Sequence, residues 1–316
     1  MLNQTQLDQF NTRGYLVIEN VITPQHLEAV HIEYKALFSQ LYQEWYANGL
    51  VKANPKGLSF WEMLDDCYSA KGFDWYQPLD ISLPADNICE DTPMHHGPAI
   101  FDIVTNEHLL NIIESLIGAE ITSNPIQHVR IKPPERLLPE GEIRAHINVT
   151  DWHQDRGVGH EDSDNTDMIT AWLAMTDATI ENGCLQVIPG PHPEILPHCP
   201  KIQTAIADEF IDEAAAVSLP VKAGGVVLFH PLTPHSSLSN NSTGYRWSFD
   251  LRYNITGQPT GRAHFPDFIA RSQQNPTNEV RDWREWKQRW EDSRLSVARS
   301  PHIDQHRWRS DSPFCA

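Results

Sequence analysis

The amino-acid sequence predicts a mainly β fold with flanking helices, built around a double-stranded β-helix, or jelly-roll, core. Three observations carry that prediction. After residue 120, short runs rich in Val, Ile, Leu, Phe and Trp alternate with Gly, Pro and Asn turns; before it, the clearest signals are helical; near the end, tryptophans recur at helical spacing. Short strands at turn-separated intervals after a helical start argue for packed antiparallel sheets rather than alternating β–α units.

In chain order, Gly14-Tyr-Leu-Val-Ile-Glu-Asn-Val21 is β-rich and is followed by Thr23-Pro24. Thr as N-cap and Pro at the first helical position start a helix well. Apolar residues at helical spacing continue it from Leu27 to Trp45, and Gly49 supplies a stop. Residues 50–98 show no clear period. A second helix is predicted from Glu107 to Ile117, capped by Thr105 or Asn106 and closed by Gly118. Strands are expected at 126–131, 168–177, 184–189, 216–222, 225–230 and 245–255. Trp283, Trp286 and Trp290 fall at i, i+3 and i+7, which reads as one amphipathic helix packed on the body of the fold, or as a lid or dimer contact. The chain is expected to form a single domain over 1–316: a helical/β part at 1–120, the jelly-roll core with the metal site at 121–256, and a C-terminal helical extension at 257–316.

Composition narrows the partners. Lys and Arg number 24 against 42 Asp and Glu, a formal net charge of −18, and such a field repels phosphate backbones. Nucleic acid is therefore excluded as the expected partner. No apolar run of 18 or more residues predicts a membrane span, and the first residues lack the charged and apolar regions of a leader. Cys67, Cys89, Cys184, Cys199 and Cys315 are scattered and never form C-x-x-C, which suits free thiols in a reducing cytoplasm better than a disulfide framework or a zinc site. The expected partner is a small-molecule substrate, on a cytoplasmic monomer or homodimer.

The chemistry concentrates in Trp152-His153-Gln154-Asp155. On a strand, residues two apart share a face, so His153 and Asp155 can reach one metal together. The third ligand is expected at His235, within Phe229-His-Pro-Leu-Thr-Pro-His-Ser-Ser237. Two His and one carboxylate on one face of an octahedron leave three positions open, the arrangement that non-haem Fe(II) oxygenases use. With 16 His in the chain, H-x-D alone is a weak signal. Arg246, eleven residues past His235, strengthens it, because a guanidinium grips a carboxylate through two parallel bonds and keeps its charge. Ser237 and Tyr245 could donate to the same group.

The stretches Ala171-Trp-Leu-Ala-Met-Thr-Asp177, Glu181-Asn-Gly-Cys-Leu-Gln-Val-Ile-Pro-Gly-Pro-His192, Ala223 to Ser237 and Asn240-Asn-Ser-Thr-Gly-Tyr-Arg246 resemble the phytanoyl-CoA hydroxylase (phytanoyl-CoA dioxygenase) family, as do Gly14 to Val21 and Ile131-Lys-Pro-Pro134. The resemblance spans most of residues 10–255, with the motifs in order. It implies an Fe(II)- and 2-oxoglutarate-dependent oxygenase that uses dioxygen, hydroxylates an unactivated C–H of a small molecule (natural-product, amino-acid-like or acyl), and releases succinate and CO2. It implies iron ligands at His153, Asp155 and His235, and a clamp on the 2-oxoglutarate carboxylate at Arg246, assisted by Ser237. Trp172 then lines the cosubstrate pocket or packs in the core; the residues leave both open. The carboxylate ligand Asp155 favours hydroxylation over halogenation.

Two departures from the family bear on the substrate: a charge- and Pro-rich insertion between Pro134 and His153, and a strongly acidic loop from Arg156 to Asp167. Both are expected to border the site mouth, so the substrate need not be an acyl-CoA. Gln127, His128, Arg130 and Arg252 are candidate substrate contacts, each with an ion pair or structural hydrogen bond as the simpler role. His95-His96 is set aside as a metal pair, because neighbours on an extended chain point oppositely. The rival readings are a zinc hydrolase using the same ligands and a non-catalytic cupin-like binding protein.

Overall fold

Local capping chemistry decides where the helices begin in the computed structural model, which describes residues 1–70, 75–138, 150–201, 203–300 and 307–315. Helix α1 (Gln4–Arg13) opens on a capping box between Asn3 and Gln6, and strand β1 (Tyr15–Ile18) follows. Thr23 caps α2 (Pro24–Ala47) by accepting from the His26 N–H, with Pro24 in the first turn. Ser59 and Glu62 form a second capping box at α3 (Phe60–Ser69), and α4 spans Pro98–Val104. Asn106 caps α5 (Glu107–Ile117), and Gly118 at φ +82° ends it.

Beyond α5 the chain turns to sheet: β2 (Glu120–Lys132), a single helical turn α6 (Asp155–Val158), β3 (Met168–Ala174), β4 (Leu185–Val187), β5 (His198–Pro200), β6 (Thr204–Ile206), β7 (Val217–Leu219), β8 (Val226–Phe229), β9 (His235–Ser237), β10 (Arg246–Ile255) and β11 (Phe268–Ser272), before the final helix α7 (Trp283–Ala298). All pairings are antiparallel. A six-stranded sheet runs β1-β8-β3-β10-β2-β11, a three-stranded sheet runs β7-β4-β9, and β5 pairs with β6.

Period-two alternation gives the large sheet two different faces. On one, Ile169, Ala171 and Leu173 of β3 and Trp247, Phe249, Leu251 and Tyr253 of β10 pack against Tyr34, Phe38 and Tyr42 of α2 and against Trp286 and Trp290 of α7. On the other, Trp172, Val227 and Phe229 meet Leu185, Val187 and Leu219 of the small sheet. The metal site lies on this second, inter-sheet side. The tryptophan stripe of α7 therefore packs on the body of the fold, with His96 stacked on Trp290 and its imidazole bonded to the Ile81 carbonyl. His95 turns instead to Glu33. No helix among the described residues is long and apolar enough to cross a membrane.

Two expectations need correction. The fold is a mixture of helices and antiparallel sheets, 34% helix and 21% strand, and not mainly β. The strands of the small sheet take three residues each, whereas α2 alone takes 24. Helices α1, α3 and α4 were not read from periodicity, although both capping boxes stand in the sequence as Asn3-x-x-Gln6 and Ser59-x-x-Glu62.

The cysteines are not all free, since Cys199 and Cys315 form a disulfide across 116 residues of sequence. That distance is bridged only because the 307–315 segment folds back. Trp308 stacks on His198 and donates to the Gly157 carbonyl at 2.6 Å, and Phe314 meets Phe210 edge-on. The thiol pattern consequently carries no information about compartment. Closing a loop of this size restricts the unfolded chain, so Cys315→Ser is expected to lower the unfolding free energy by about 2–4 kcal/mol, read by denaturant titration of oxidised protein. An unchanged midpoint would show that the bond contributes nothing to stability.

Candidate metal centre

The site is assembled at the join between the two sheets. His153 and His235 exchange backbone hydrogen bonds in both directions at 3.0 Å, forming an isolated antiparallel bridge at the start of β9. Asp155 is not on a strand: it is the first residue of α6. The shared-face argument for His153 and Asp155 assumed a strand, whereas the two side chains meet across the start of a helical turn. The chain turns there because Arg156 reaches the Asp164 carbonyl and, at 2.6 Å, the Thr166 carbonyl. Gly157 is needed at the turn, since a Cβ there would lie 2.6 Å from the His198 ring. Gln154, fully buried, donates to the Glu194 and Leu232 carbonyls and accepts from Leu196 N–H, locking the ligand segment to two other loops.

The three side chains converge. His153 Nε2 is 3.9 Å and His235 Nε2 3.8 Å from the Asp155 carboxylate oxygens, and the ring centroids are 4.2 Å apart. Two atoms bonded to one ion at about 2.1 Å can stand no more than about 4.2 Å apart, and both carboxylate separations meet that limit. Each imidazole points its Nδ1 at the carbonyl two residues earlier, Asp151 at 2.8 Å and Thr233 at 3.0 Å. Nδ1–H donates there, which leaves the Nε2 lone pair of both rings for a metal. Phe229 stacks almost parallel on His235, centroids 4.6 Å apart, and holds that ring's plane. Two imidazole nitrogens and one carboxylate, buried and pre-oriented, fit a divalent transition metal with open positions.

Asp155 is itself held from two sides. Thr170 on β3 donates to Oδ2 at 2.5 Å, and Arg252 on β10 forms an ion pair with Oδ1. Burial pushes the Asp155 carboxyl up, but the Arg252 guanidinium, both imidazoles and the Thr170 hydroxyl outweigh it and hold the acid ionised. Burial, then the His235 ring alongside, push the His153 imidazole far below its ordinary range. Both groups are deprotonated at neutral pH, the state a metal ligand requires.

A second polar cluster sits further along the same inter-sheet face. Arg246, two per cent exposed, lies with its guanidinium carbon 5.2 Å from the Trp172 ring centroid, and its Nε and Nη1 have no hydrogen-bond partner. Burial pushes its pKa down to about 10. Trp172 packs in the inter-sheet core and its ring stands beside Arg246. Ser237 Oγ accepts from Lys132 Nζ at 2.7 Å and from Thr150 N–H at 2.9 Å, so both lone pairs are used and its proton is left to donate. Burial, with the Arg246 charge alongside, pushes the Lys132 ammonium well below the lysine range.

Lys132 was missed by the sequence reading, although it lies an even number of residues from His128 and Arg130 on the same strand. Thr170 was missed too, despite standing two residues before Trp172. Tyr245 does not join this cluster: its hydroxyl donates to Asp65 at 2.6 Å on the helical side. Gln127, His128 and Arg130 are engaged with the Ile81 carbonyl, Asp80 and Asp250 respectively. Of the two departures from the family, the acidic loop is tied down by Arg156 and by the Arg307–Asp164 ion pair, while residues 139–149 of the insertion lie outside the described residues.

Two further imidazoles, His198 beside the site and His96 on the helical side, are buried neutral. Burial pushes His198 down to about 4, against the opposing pull of the Leu196 carbonyl, and pushes His96 well below its usual range. Both titrate near 6.5 in an unfolded chain. Between about pH 6.5 and 4 the unfolded state therefore binds more protons, and stability must fall as pH falls through that window. A thermal midpoint that stayed level from pH 7 to 4.5 would contradict this assignment.

Comparison with known proteins places these features in context. The sequence profile of the family described as Phytanoyl-CoA dioxygenase matches residues 10–248. The peroxisomal phytanoyl-CoA dioxygenase of Rattus norvegicus is 33% identical over 261 residues, which is 80% of this chain and 68% of the rat enzyme. In the human enzyme of the same name the match takes in 34% of the length. The L-proline trans-4-hydroxylase of Streptomyces griseoviridis is 27% identical over 56% of this chain and 72% of its own. Among solved structures, EvdO2 from Micromonospora carbonacea var. aurantiaca, complexed with 2-oxoglutarate, superposes with a TM-score of 0.54 at 19% identity, covering 81% of this chain and 92% of that one. At that identity the likeness is one of fold.

Proposed function

This chain belongs to the phytanoyl-CoA dioxygenase family, and from that premise we propose that His153, Asp155 and His235 hold its Fe(II) while Arg246, Lys132 and Ser237 receive the far carboxylate of 2-oxoglutarate. The chain is a 2-oxoglutarate-dependent non-haem iron oxygenase. The observation that carries the residue assignment is the paired vacancy in hydrogen bonding: Nε2 lone pairs converging with a carboxylate at one point, and a buried guanidinium with two unpartnered nitrogens nearby. Buried polar groups are otherwise satisfied, and a dicarboxylate reaching from the metal to Arg246 satisfies both ends.

When bound, Fe(II) with 2-oxoglutarate and dioxygen supplies the oxidising power for oxygen insertion into an unactivated C–H bond, with release of succinate and CO2. The protein's part is placement. Trp172 walls the cosubstrate against Arg246, Phe229 and the Asp151 and Thr233 carbonyls fix the imidazoles, and Thr170 and Arg252 hold the Asp155 carboxylate. The two sheets facing each other across Trp172, Leu185 and Val187 are read as the halves of a jelly roll, and the whole chain as one functional unit, because α2, α7 and the large sheet share a core. The substrate is read as a small molecule outside the acyl-CoA class, in keeping with the bacterial proline hydroxylase among the relatives.

A zinc hydrolase would need the triad but no Arg246. Dioxygen-free protein given Fe(II) and 2-oxoglutarate should develop a weak visible band at roughly 500 nm, as chelation at an iron site of this ligand type produces, followed on aeration by succinate. Absence of both, with metal bound, would overturn the assignment.

A further inference from the structure

Strand β5 carries two neighbouring residues with different attachments. His198 faces the metal centre. The Gln154 N–H donates to its Nε2 at 3.0 Å, between the ligands His153 and Asp155, so the ring proton sits on Nδ1 and donates to the Leu196 carbonyl at 2.7 Å. Cys199 instead bonds Cys315. The 307–315 segment that carries Cys315 lies against the same ligand turn from outside. Trp308 stacks on the His198 ring, centroids 5.1 Å apart, and donates to the Gly157 carbonyl within α6, while Arg307 pairs with Asp164 just beyond it. The segment thus backs the imidazole that backs the ligand turn.

Holding nine residues of irregular chain in one conformation costs backbone entropy at every residue. Against that cost, between the segment and the body, stand the Arg307–Asp164 pair, the Trp308 bond and stack, and the edge-on contact of Phe314 with Phe210. The disulfide adds what these lack, because a covalent link keeps the segment at high effective concentration beside β5. Its two ends differ in exposure: Cys199 is buried, whereas Cys315 is only half-buried. A thiolate of an external dithiol can therefore attack Cys315 Sγ, and Cys199 leaves and takes a proton. The second thiol of the reductant then displaces Cys315. Two electrons pass to the Cys199–Cys315 bond, two protein thiols form, and the reductant ends as its own disulfide.

We propose that Cys199–Cys315 is a redox-switched strap. Oxidised, it clamps 307–315 onto His198 and α6 and tightens the metal centre; reduced by a dithiol, it frees the segment and loosens that centre. The inference rests on the metal-holding role proposed above for His153, Asp155 and His235.

The test compares oxidised full-length protein with protein reduced by dithiothreitol and freed of the reagent by gel filtration without dioxygen. Trypsin cleavage after Arg307, whose side chain is six per cent exposed, is followed by mass and is expected to accelerate at least tenfold on reduction. Ni(II) affinity, measured by calorimetry, is expected to weaken about tenfold, the lower end of what loss of an outer partner of a ligand costs. Oxidised glutathione should restore both, which distinguishes release from misfolding. The Cys199→Ser/Cys315→Ser double variant should sit at the reduced level in both measurements and ignore dithiothreitol; if it fails to fold, the reduction and reoxidation cycle of the wild type carries the test. Equal cleavage in the two redox states would refute release. Release with unchanged Ni(II) affinity would refute the coupling to the metal centre. A dithiothreitol response that survives in the double variant would refute the assignment, by tracing it to Cys67, Cys89 or Cys184. Oxidised protein that binds no Ni(II) would instead overturn the proposed function, while the cleavage rates would still report whether the strap opens.

Discussion

Replacing His235 with Ala is expected to weaken Fe(II) binding by well over a hundredfold and to abolish succinate release, with His153→Ala and Asp155→Ala behaving alike. The expectation follows from how little else is available to the metal: among the described residues, one group of three candidate ligands comes together, and each member contributes a single atom. Changing a residue that merely orients a ligand typically costs 10- to 100-fold in metal affinity, so removing a ligand outright must cost more, while Thr170→Val should fall in that lower range. Metal content after gel filtration and calorimetric titration of Fe(II) without dioxygen would measure both. Folding should survive His235→Ala, because the bridge to His153 is made by backbone groups. A His235→Ala protein that kept stoichiometric iron would remove His235 from the site.

Arg246→Ala is expected to separate the two halves of the site. Iron binding should persist, since Arg246 touches none of the three ligands, whereas the 2-oxoglutarate requirement should rise by roughly two to three orders of magnitude, the range seen when one partner of a buried, hydrogen-bonded charge pair is truncated. Lys132 and Ser237 would then face the carboxylate without its bidentate partner. Arg246→Lys should recover part of the affinity, because it restores charge but not the planar fork. The visible band titrated against 2-oxoglutarate gives the dissociation constant directly. Unchanged affinity in Arg246→Ala would show that the unpartnered guanidinium serves some other anion.

What each residue does here depends on the range of the forces that place it. Thr23-Pro24 and Asn106 start helices through bonds made within three residues, so α2 and α5 were legible. The boxes at Asn3 and Ser59 were equally local, and α1 and α3 could have been found from them. The 50–98 region hid α3 among mixed Pro, Asp and aromatic residues, and α4, which starts at its end, has only seven residues in which to show a period.

His153, Asp155, His235, Arg246 and Ser237 were all picked out by sequence alone, through residue type, order and family pattern, as the metal- and carboxylate-holding residues proposed here. Only the tertiary structure decided that Asp155 opens a helical turn, that Arg252 and Thr170 grip it, that Lys132 backs Ser237, that Tyr245 faces Asp65, and that Cys199 meets Cys315. The physical reason is one of distance along the chain. Backbone preference and capping act over a few residues and are written where they act, whereas a buried ion pair or disulfide exists only after elements scores of residues apart have packed, and no short stretch of sequence records that meeting.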